Sequence, residues 1–167
     1  MSKKKIQPVP QTKKPKIRLL TLDVDGVLTD GGIYLTEKGD LLKKFNTKDG
    51  VGIRQAVKTG ITVAFISAGK SKNILNTRAK MLGVKYVYAG DEEKLSVLGK
   101  ICKKMKINFE NVAHVGDDTN DLKILSAVGL SACPADGMKE VKKITDVVLK
   151  KNGGDGCVRE FIDNYLL

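Results

Sequence analysis

The chain has 167 residues, a formal net charge of +11 and 41% hydrophobic residues, a size and composition typical of one globular domain. No segment approaches the ~20 consecutive apolar residues of a membrane-spanning helix, and the N-terminus lacks the apolar stretch of a signal peptide, so we expect a cytoplasmic protein. Aromatic residues make up only 5% of the chain. No basic run in the body is interleaved with them, which argues against a nucleic-acid-binding surface.

The positive charge is concentrated at the N-terminus. Six lysines lie in the first sixteen residues, with three of the four prolines, and we predict that residues 1–16 form a disordered basic tail before one domain at 17–167. Binding of RNA through this tail is a separate hypothesis. The three cysteines are odd in number and far apart, so we predict reduced packing residues.

From residue 17 onward, short apolar runs alternate with segments of helical period. The predicted strands are 17–24, 61–67, 84–88, 112–115, 129–132 and 146–149. The predicted helices are 50–59, 71–82, 92–105, 119–127, 137–144 and 157–166. This alternation predicts an α/β fold with a single Rossmann-like, doubly wound, mostly parallel sheet that is covered on both faces.

One segment, residues 31–46, interrupts the alternation. It has an apolar run at 33–35, a polar turn at 36–40 and a second, partly apolar run at 41–45. This pattern predicts a β-hairpin that projects just after the first strand.

Polar side chains stand at or just after the ends of four predicted strands: Asp23, Asp25, Ser67, Lys94, Asp117, Asp118 and Asp121. In an open parallel sheet these strand ends form one ligand-binding edge, so we expect the side chains to converge. Close carboxylates repel each other unless a cation compensates them. An oxygen-only ligand set favours Mg²⁺, which commonly completes its coordination with a phosphate oxygen. The sequence therefore predicts a magnesium-dependent enzyme that acts on a phosphate ester.

The order Asp-x-Asp-Gly, strand-end Ser, Lys and Gly-Asp-Asp-x-x-Asp resembles the haloacid dehalogenase superfamily of phosphatases. The resemblance implies that Asp23 attacks phosphorus to form an aspartyl phosphate. Asp25 would protonate the leaving sugar oxygen and later activate water. Ser67 and Lys94 would hold the phosphoryl oxygens.

The same resemblance implies a ligand set for magnesium. It consists of the Asp23 carboxylate, the backbone carbonyl of Asp25 and the Asp117 carboxylate. Asp118 and Asp121 would orient water ligands or the amine of Lys94 from outside this set.

The gaps between the motifs are too short for the cap domain that most of the superfamily carries. The chain is similar in this respect to the capless phosphatases of eight- and nine-carbon keto sugar acids, whose best-known member hydrolyses 3-deoxy-D-manno-octulosonate 8-phosphate for lipopolysaccharide synthesis. Those proteins are homotetramers in which the hairpins pack together and a neighbouring subunit helps to close each active site. The resemblance implies that substrate is bound by Asp25, Asn46, Thr47, Lys48, Asp49, Gly50, Arg54, Lys70, Arg78 and Lys94.

The segment Ser67-Ala68-Gly69 departs from the Thr-Gly-Arg that is usual in the octulosonate enzymes. Lys70 follows it, as in the related nonulosonate 9-phosphate phosphatases, and lysine lacks the bidentate fork of arginine. A nonulosonate phosphatase (of the sialic acid or KDN type) and a catalytically weak regulatory or binding domain therefore stay open as alternatives. His114, the single histidine, is predicted to be packed and hydrogen-bonded rather than catalytic.

Overall fold

The computed structural model describes residues 16–167, so the predicted tail lies almost wholly outside the described residues. The strands are β1 (Leu19–Leu22), β2 (Tyr34–Leu35), β3 (Leu41–Leu42), β4 (Thr62–Ser67), β5 (Tyr86–Ala89), β6 (Val112–Val115), β7 (Leu130–Cys133) and β8 (Val147–Val148). The helices are α1 (Thr47–Lys58), α2 (Lys72–Leu82), α3 (Lys94–Met105), α4 (Leu122–Ala127), α5 (Lys139–Lys142) and α6 (Cys157–Tyr165).

Six of these strands form one sheet in the order β5-β4-β1-β6-β7-β8, and each neighbouring pair is parallel. The predicted mostly parallel, Rossmann-like sheet is confirmed. Because β1 is central and the chain leaves it first toward β4 and later toward β6, the strand order reverses there. Such a reversal opens a crevice beyond the carboxyl ends of the strands.

Helices cover both faces of the sheet and bury the central strands on both sides. Leu20 and Leu22 of β1 pack into a cluster with residues of α1, α2 and α6, whereas Leu19 packs into a second cluster with residues of α3 and α4. This division follows from the alternation of side chains along a strand. Each such buried Leu contributes about 1.5–3 kcal/mol of transfer free energy.

The predicted hairpin is confirmed as the antiparallel pair β2 and β3. Its apolar side chains face outward: Ile33 is 80%, Leu35 65% and Leu42 56% exposed. The following helix, α1, begins at Thr47, three residues before the predicted start. The sequence analysis overlooked Asn46 as the N-cap, whose side chain accepts a hydrogen bond from the Lys48 amide.

The three cysteines are buried and unpaired, as predicted. Within residues 16–167, no helix combines the length and the apolar character needed to cross a membrane.

Candidate active site

The ends of β1 and β6 bring two aspartates together at the carboxyl edge of the sheet. Asp23 continues the ladder, since its amide donates to the Val115 carbonyl at 3.0 Å. The loop after Asp23 then turns at Gly26, where φ is +88° and a Cβ atom would lie 2.1 Å from Asp117 Oδ2. Only glycine leaves room for this close approach.

Carboxylate oxygens of Asp23, Asp117 and Asp121 all lie within 4.8 Å of one another. Burial, together with the charge of Asp121, raises the pKa of Asp23 to about 8 and the pKa of Asp117 to about 6. Asp117 Oδ1 is also buried without a hydrogen-bond partner among the described residues. An unpaired buried oxygen beside a second carboxylate is the environment that a bound cation would stabilise, so these residues fit a hard divalent metal.

Lys94, the first residue of α3, lies between two of these carboxylates. Its Nζ is 2.9 Å from Asp23 Oδ1 and 2.7 Å from Asp121 Oδ1, and its side chain is only 4% exposed. Burial alone would lower the pKa of Lys94, but the two carboxylates outweigh it and raise the pKa. The ammonium group is therefore held in its charged form against the Asp23 carboxylate.

Asp121 is fully buried, and protein groups contact both of its oxygens. Oδ1 contacts Lys94 and lies 3.1 Å from His114 Nε2, while Oδ2 accepts from the amides of Asp117 and Asp118. Burial alone would raise the pKa of Asp121, but the contacts with His114 and Lys94 lower it to about 2. With its oxygens engaged in this way, Asp121 supports Lys94, and Asp23 and Asp117 are the better metal ligands.

His114 is buried and hydrogen-bonded. Its Nδ1 is 2.8 Å from Thr21 Oγ1 on β1, and its Nε2 faces Asp121. The histidine thus anchors the carboxylate that holds Lys94. Asp118 is exposed, and its Oδ1 accepts a hydrogen bond from the Thr119 amide at the start of a short 3₁₀ turn; it lies outside the carboxylate cluster.

Ser67 and Asp25 approach each other across Gly69. Ser67 is buried and its Oγ accepts from the Gly69 amide at 3.0 Å. A Cβ atom at position 69 would lie 3.1 Å from Asp25 Oδ2 and 3.2 Å from Ser67 Oγ. The two predicted catalytic side chains thus face the same turn after β4.

Lys43 enters the site from the hairpin, and the sequence analysis did not single it out. Its ammonium group pairs with Asp25 Oδ1. The lysine side chain is 9% exposed, although residues 31–40 of the hairpin are all exposed. The run Leu-Leu-Lys-Lys predicts that adjacent lysines point in opposite directions, but the pattern does not say which of them faces the aspartates.

The predicted substrate-binding residues form a second group around the start of α1. Arg78 Nη2 donates to the Asn46 carbonyl at 3.2 Å, and its guanidinium carbon is 5.3 Å from the centroid of the Phe45 ring. Gly50 lies close to this side chain, since a Cβ atom at position 50 would be 2.7 Å from Arg78 Nη2 and would displace the end of the arginine. Burial and the nearby positive charge of Arg54 lower the pKa of Arg78.

Other predicted substrate ligands differ in exposure. Thr47, Lys48 and Arg54 are exposed on α1. Lys70 is 84% exposed, with Nζ 4.0 Å from Asp91 Oδ2. Such an exposed pair contributes little to stability, so the Lys70 ammonium is free to bind an anion.

The structure gives Asp49 a different place from the predicted substrate contact. It is 1% exposed, and its Oδ1 accepts from the Arg159 amide at 2.7 Å in the first turn of α6. A carboxylate at a helix N-terminus satisfies unpaired amides and the helix dipole. Asp49 therefore stabilises the start of α6, and its role in substrate binding stays a prediction.

A glycine-rich segment before α6 packs on the loop that follows Asp23. The Gly154 amide donates to the Val27 carbonyl at 2.9 Å, and Asn46 Nδ2 donates to the Gly154 carbonyl at 3.2 Å. At Gly153, a Cβ atom would lie 1.8 Å from the Gly26 carbonyl oxygen. The C-terminal segment thus fixes the catalytic loop within the same chain.

Two cavities lie at opposite edges of the sheet. One of about 710 Å³ is lined by Ile17, Ile61, Leu130 and other residues at the amino ends of the strands, and none of the predicted site residues lines it. Another of about 280 Å³ lies beside Ala68 and Lys94 at the carboxyl edge. Of the predicted site residues, Lys94 alone lines the smaller cavity, whereas Arg78 and Phe45 line a third cavity of about 430 Å³.

Several known proteins are similar to this chain in sequence and in fold. The chain is 43% identical over 162 residues to the 3-deoxy-D-manno-octulosonate 8-phosphate phosphatase of Salmonella typhimurium, covering 97% of this chain and 86% of that one. It is 44% identical over 155 residues to the Escherichia coli K12 enzyme of the same name, covering 93% and 82%.

A solved structure of the Moraxella catarrhalis phosphatase of this name, in complex with magnesium, phosphate and KDO, matches with a TM-score of 0.85 at 34% identity, covering 88% of this chain and 84% of that one. A family model for haloacid dehalogenase-like hydrolases matches residues 70–161. The chain therefore belongs to the haloacid dehalogenase-like hydrolases.

Proposed function

We propose that the protein is a magnesium-dependent phosphatase that hydrolyses 3-deoxy-D-manno-octulosonate 8-phosphate. The observation that carries this proposal is the buried cluster in which Lys94 holds Asp23 beside the unpaired oxygen of Asp117. Relatives that carry this activity in their names share 43–44% of its residues. The likeness covers both the catalytic edge and the hairpin.

In the proposed reaction, an oxygen of Asp23 attacks phosphorus while the bond between phosphorus and the leaving sugar oxygen breaks. That oxygen takes the proton of Asp25, which then removes a proton from the water that hydrolyses the aspartyl phosphate. Lys94 orients the attacking carboxylate, and the Ser67 hydroxyl and Lys94 bind phosphoryl oxygens. Asp23, Asp117 and the carbonyl of Asp25 would hold Mg²⁺, which would supply the positive charge that lets a carboxylate approach the phosphoryl group.

The rest of the substrate would lie toward the start of α1. Arg78 and Arg54 are close enough for one positive charge to lower the pKa of the other. An anion between them relieves that repulsion, so we assign the carboxylate of the keto sugar acid to these two arginines. Asn46, Thr47, Lys48 and Gly50 would contact the sugar from the first turn of α1.

Nonulosonate 9-phosphates are the second candidate substrates, because Lys70 extends into solvent next to Gly69 and Asp25. The ammonium group of Lys70 could bind an anionic group of a nine-carbon substrate, which lies further from phosphorus than the corresponding group of an eight-carbon substrate.

We also propose that the protein assembles as a homotetramer through its hairpins. Ile33, Leu35 and Leu42 together expose an apolar surface that packs on nothing within the described chain. Burial of each such side chain against a second copy would contribute about 1.5–3 kcal/mol. Light scattering at micromolar concentration should give four times the mass of the chain, and a stable monomer would contradict the proposal. The cytoplasmic location and the basic tail stay predictions.

Phosphate release tests the function. Wild-type protein with Mg²⁺ should hydrolyse octulosonate 8-phosphate faster than a nonulosonate 9-phosphate, and Asp23→Asn should lose at least about 10³-fold in kcat. Equal activity of the variant would remove Asp23 as nucleophile. The reverse substrate preference would indicate a nonulosonate 9-phosphate phosphatase. Ligand-induced stabilisation without phosphate release would indicate a binding domain.

A further inference from the structure

The hairpin sends two adjacent lysines in opposite directions. Lys43 turns inward and pairs with Asp25, with 9% of its side chain exposed. Lys44 turns outward and pairs with Asp30, with 63% of its side chain exposed. The contact between Lys43 and Asp25 thus depends on the direction in which the hairpin points this side chain, and a general excess of surface lysine does not explain it.

Two hydrogen bonds to Asp30 stabilise the base of the hairpin that carries Lys43. Asp30 accepts hydrogen bonds from the Tyr34 hydroxyl at 2.7 Å and from the Gly32 amide at 3.0 Å. Both bonds close the loop between Asp30 and β2. Because Lys44 is largely exposed, its pairing with Asp30 contributes little to stability.

The two oxygens of Asp25 differ in their surroundings. Oδ1 contacts the Lys43 ammonium group. Oδ2 lies toward Gly69 and Ser67 and accepts no hydrogen bond from the residues that the structure describes. The lysine therefore fixes one oxygen and leaves the other directed toward the place where the ester oxygen would lie.

We propose that Lys43 is a positioning residue that holds Asp25 for proton transfer to the leaving oxygen, an inference that rests on the proposed phosphatase function. Because Lys43 holds Oδ1, Oδ2 is the oxygen left to exchange a proton with the ester oxygen. As the bond between phosphorus and the ester oxygen breaks, its electron pair stays on that oxygen, which takes the proton from Oδ2. The Asp25 carboxylate that results is stabilised by the ammonium group until it accepts a proton from the attacking water.

This role predicts a dependence on the leaving group. A sugar alkoxide is a poor leaving group and needs the proton, whereas p-nitrophenolate leaves without one. The parameter kcat/KM reports the steps up to the first irreversible one, which here is loss of the alcohol, so it excludes later hydrolysis of the aspartyl phosphate. A variant that loses proton donation should therefore lose kcat/KM on the sugar phosphate but not on p-nitrophenyl phosphate, whereas a general loss of structure should lower kcat/KM for both esters.

The experiment measures kcat/KM of wild type, Lys43→Met, Lys43→Arg and Lys44→Met on octulosonate 8-phosphate and p-nitrophenyl phosphate, at saturating Mg²⁺. Lys43→Met should lose about 30-fold on the sugar phosphate and less than about threefold on the aryl phosphate, since donation contributes about 10²–10⁴-fold in all. Lys43→Arg should recover most of the loss, and Lys44→Met should change neither value by more than about twofold.

Equal losses on both esters, or no loss on either, would overturn the positioning role. If Lys43→Met does not fold, as judged by circular dichroism, the same ratio is measured for Lys43→Gln, which keeps a hydrogen-bond donor without the charge. A wild-type protein that cleaves neither ester would overturn the proposed function and this inference together. An active wild type with an unchanged ratio would overturn this inference alone.

Discussion

Magnesium binding should release about one proton per ion at pH 7, because the metal requires ionised carboxylates. Burial raises the pKa of Asp23 to about 8 and that of Asp117 to about 6. At pH 7 about nine-tenths of Asp23 and about a tenth of Asp117 therefore carry a proton in the metal-free protein, and at pH 9 about a tenth of Asp23 does. Proton release should fall about tenfold between these two pH values.

The same two groups set the sign of the effect on stability. Each has a higher pKa in the folded protein than its ordinary value of 3.8, so the folded state binds protons more tightly between about pH 4 and 8. The free energy of unfolding of the metal-free protein should therefore decrease as pH rises through this window. Because the metal-bound form has already lost these protons, stabilisation by Mg²⁺ should increase from pH 6 to pH 8.

Isothermal titration calorimetry measures the number of protons released on Mg²⁺ binding, at pH 7 and pH 9, in pairs of buffers that differ in ionisation enthalpy. Thermal unfolding with and without Mg²⁺ measures the stabilisation by the metal at each pH. Asp118→Asn is the matched control, because Asp118 is exposed and lies outside the carboxylate cluster, and it should release as many protons as wild type. Release that is equal at both pH values would refute the reasoning.

Four further substitutions test other parts of the protein. Asp121→Asn should reduce the free energy of unfolding by about 3 kcal/mol, because it weakens two buried contacts, with Lys94 and His114; urea titration measures this. Gly153→Ala should weaken Mg²⁺ binding measured by calorimetry, because its Cβ atom would lie 1.8 Å from the Gly26 carbonyl. Gly99 lies in α3, and a Cβ atom at this position would be 4.0 Å from the nearest atom, Phe109 Cζ. Gly99→Ala should therefore stabilise the protein by up to about 1 kcal/mol. Leu35→Glu should dissociate the proposed tetramer in light scattering, since Leu35 is 65% exposed on the hairpin and would bury a charge.

The sequence was sufficient for the sheet and for the aspartates at its edge. Apolar runs at regular intervals predict parallel strands, and parallel strands must end at one edge, so Asp23 and Asp117 could be placed together without coordinates. These features depend on local patterns, which a sequence displays directly. The order of the strands was not predicted and comes from the structure.

Contacts between distant segments were beyond the reach of the sequence. The resemblance implied that Asp49 is a substrate ligand, whereas in the structure its Oδ1 accepts a hydrogen bond from an amide 110 residues later in the chain. The link from His114 to Asp121 and the contact of Lys43 with Asp25 were missed for a similar reason. Each depends on which face of an element turns inward, and the residue pattern alone leaves that choice open.

The charges of the site account for its need of one divalent ion. Asp23, Asp117 and Asp121 would contribute three negative charges when ionised, and Lys94 compensates one of them. Asp25 lies outside this cluster and pairs with Lys43. The remaining two negative charges match one Mg²⁺, and without it the cluster retains protons, as the raised pKa values of Asp23 and Asp117 show.

A phosphate ester brings its own negative charge into this compensated cluster. The charge that balances it must come from outside the cluster, and the neighbouring guanidinium groups of Arg54 and Arg78 could supply it. Under the proposed function, the phosphoryl group would react at the carboxyl edge of the sheet, which is neutral only with one metal ion, and the two arginines would bind the anionic sugar.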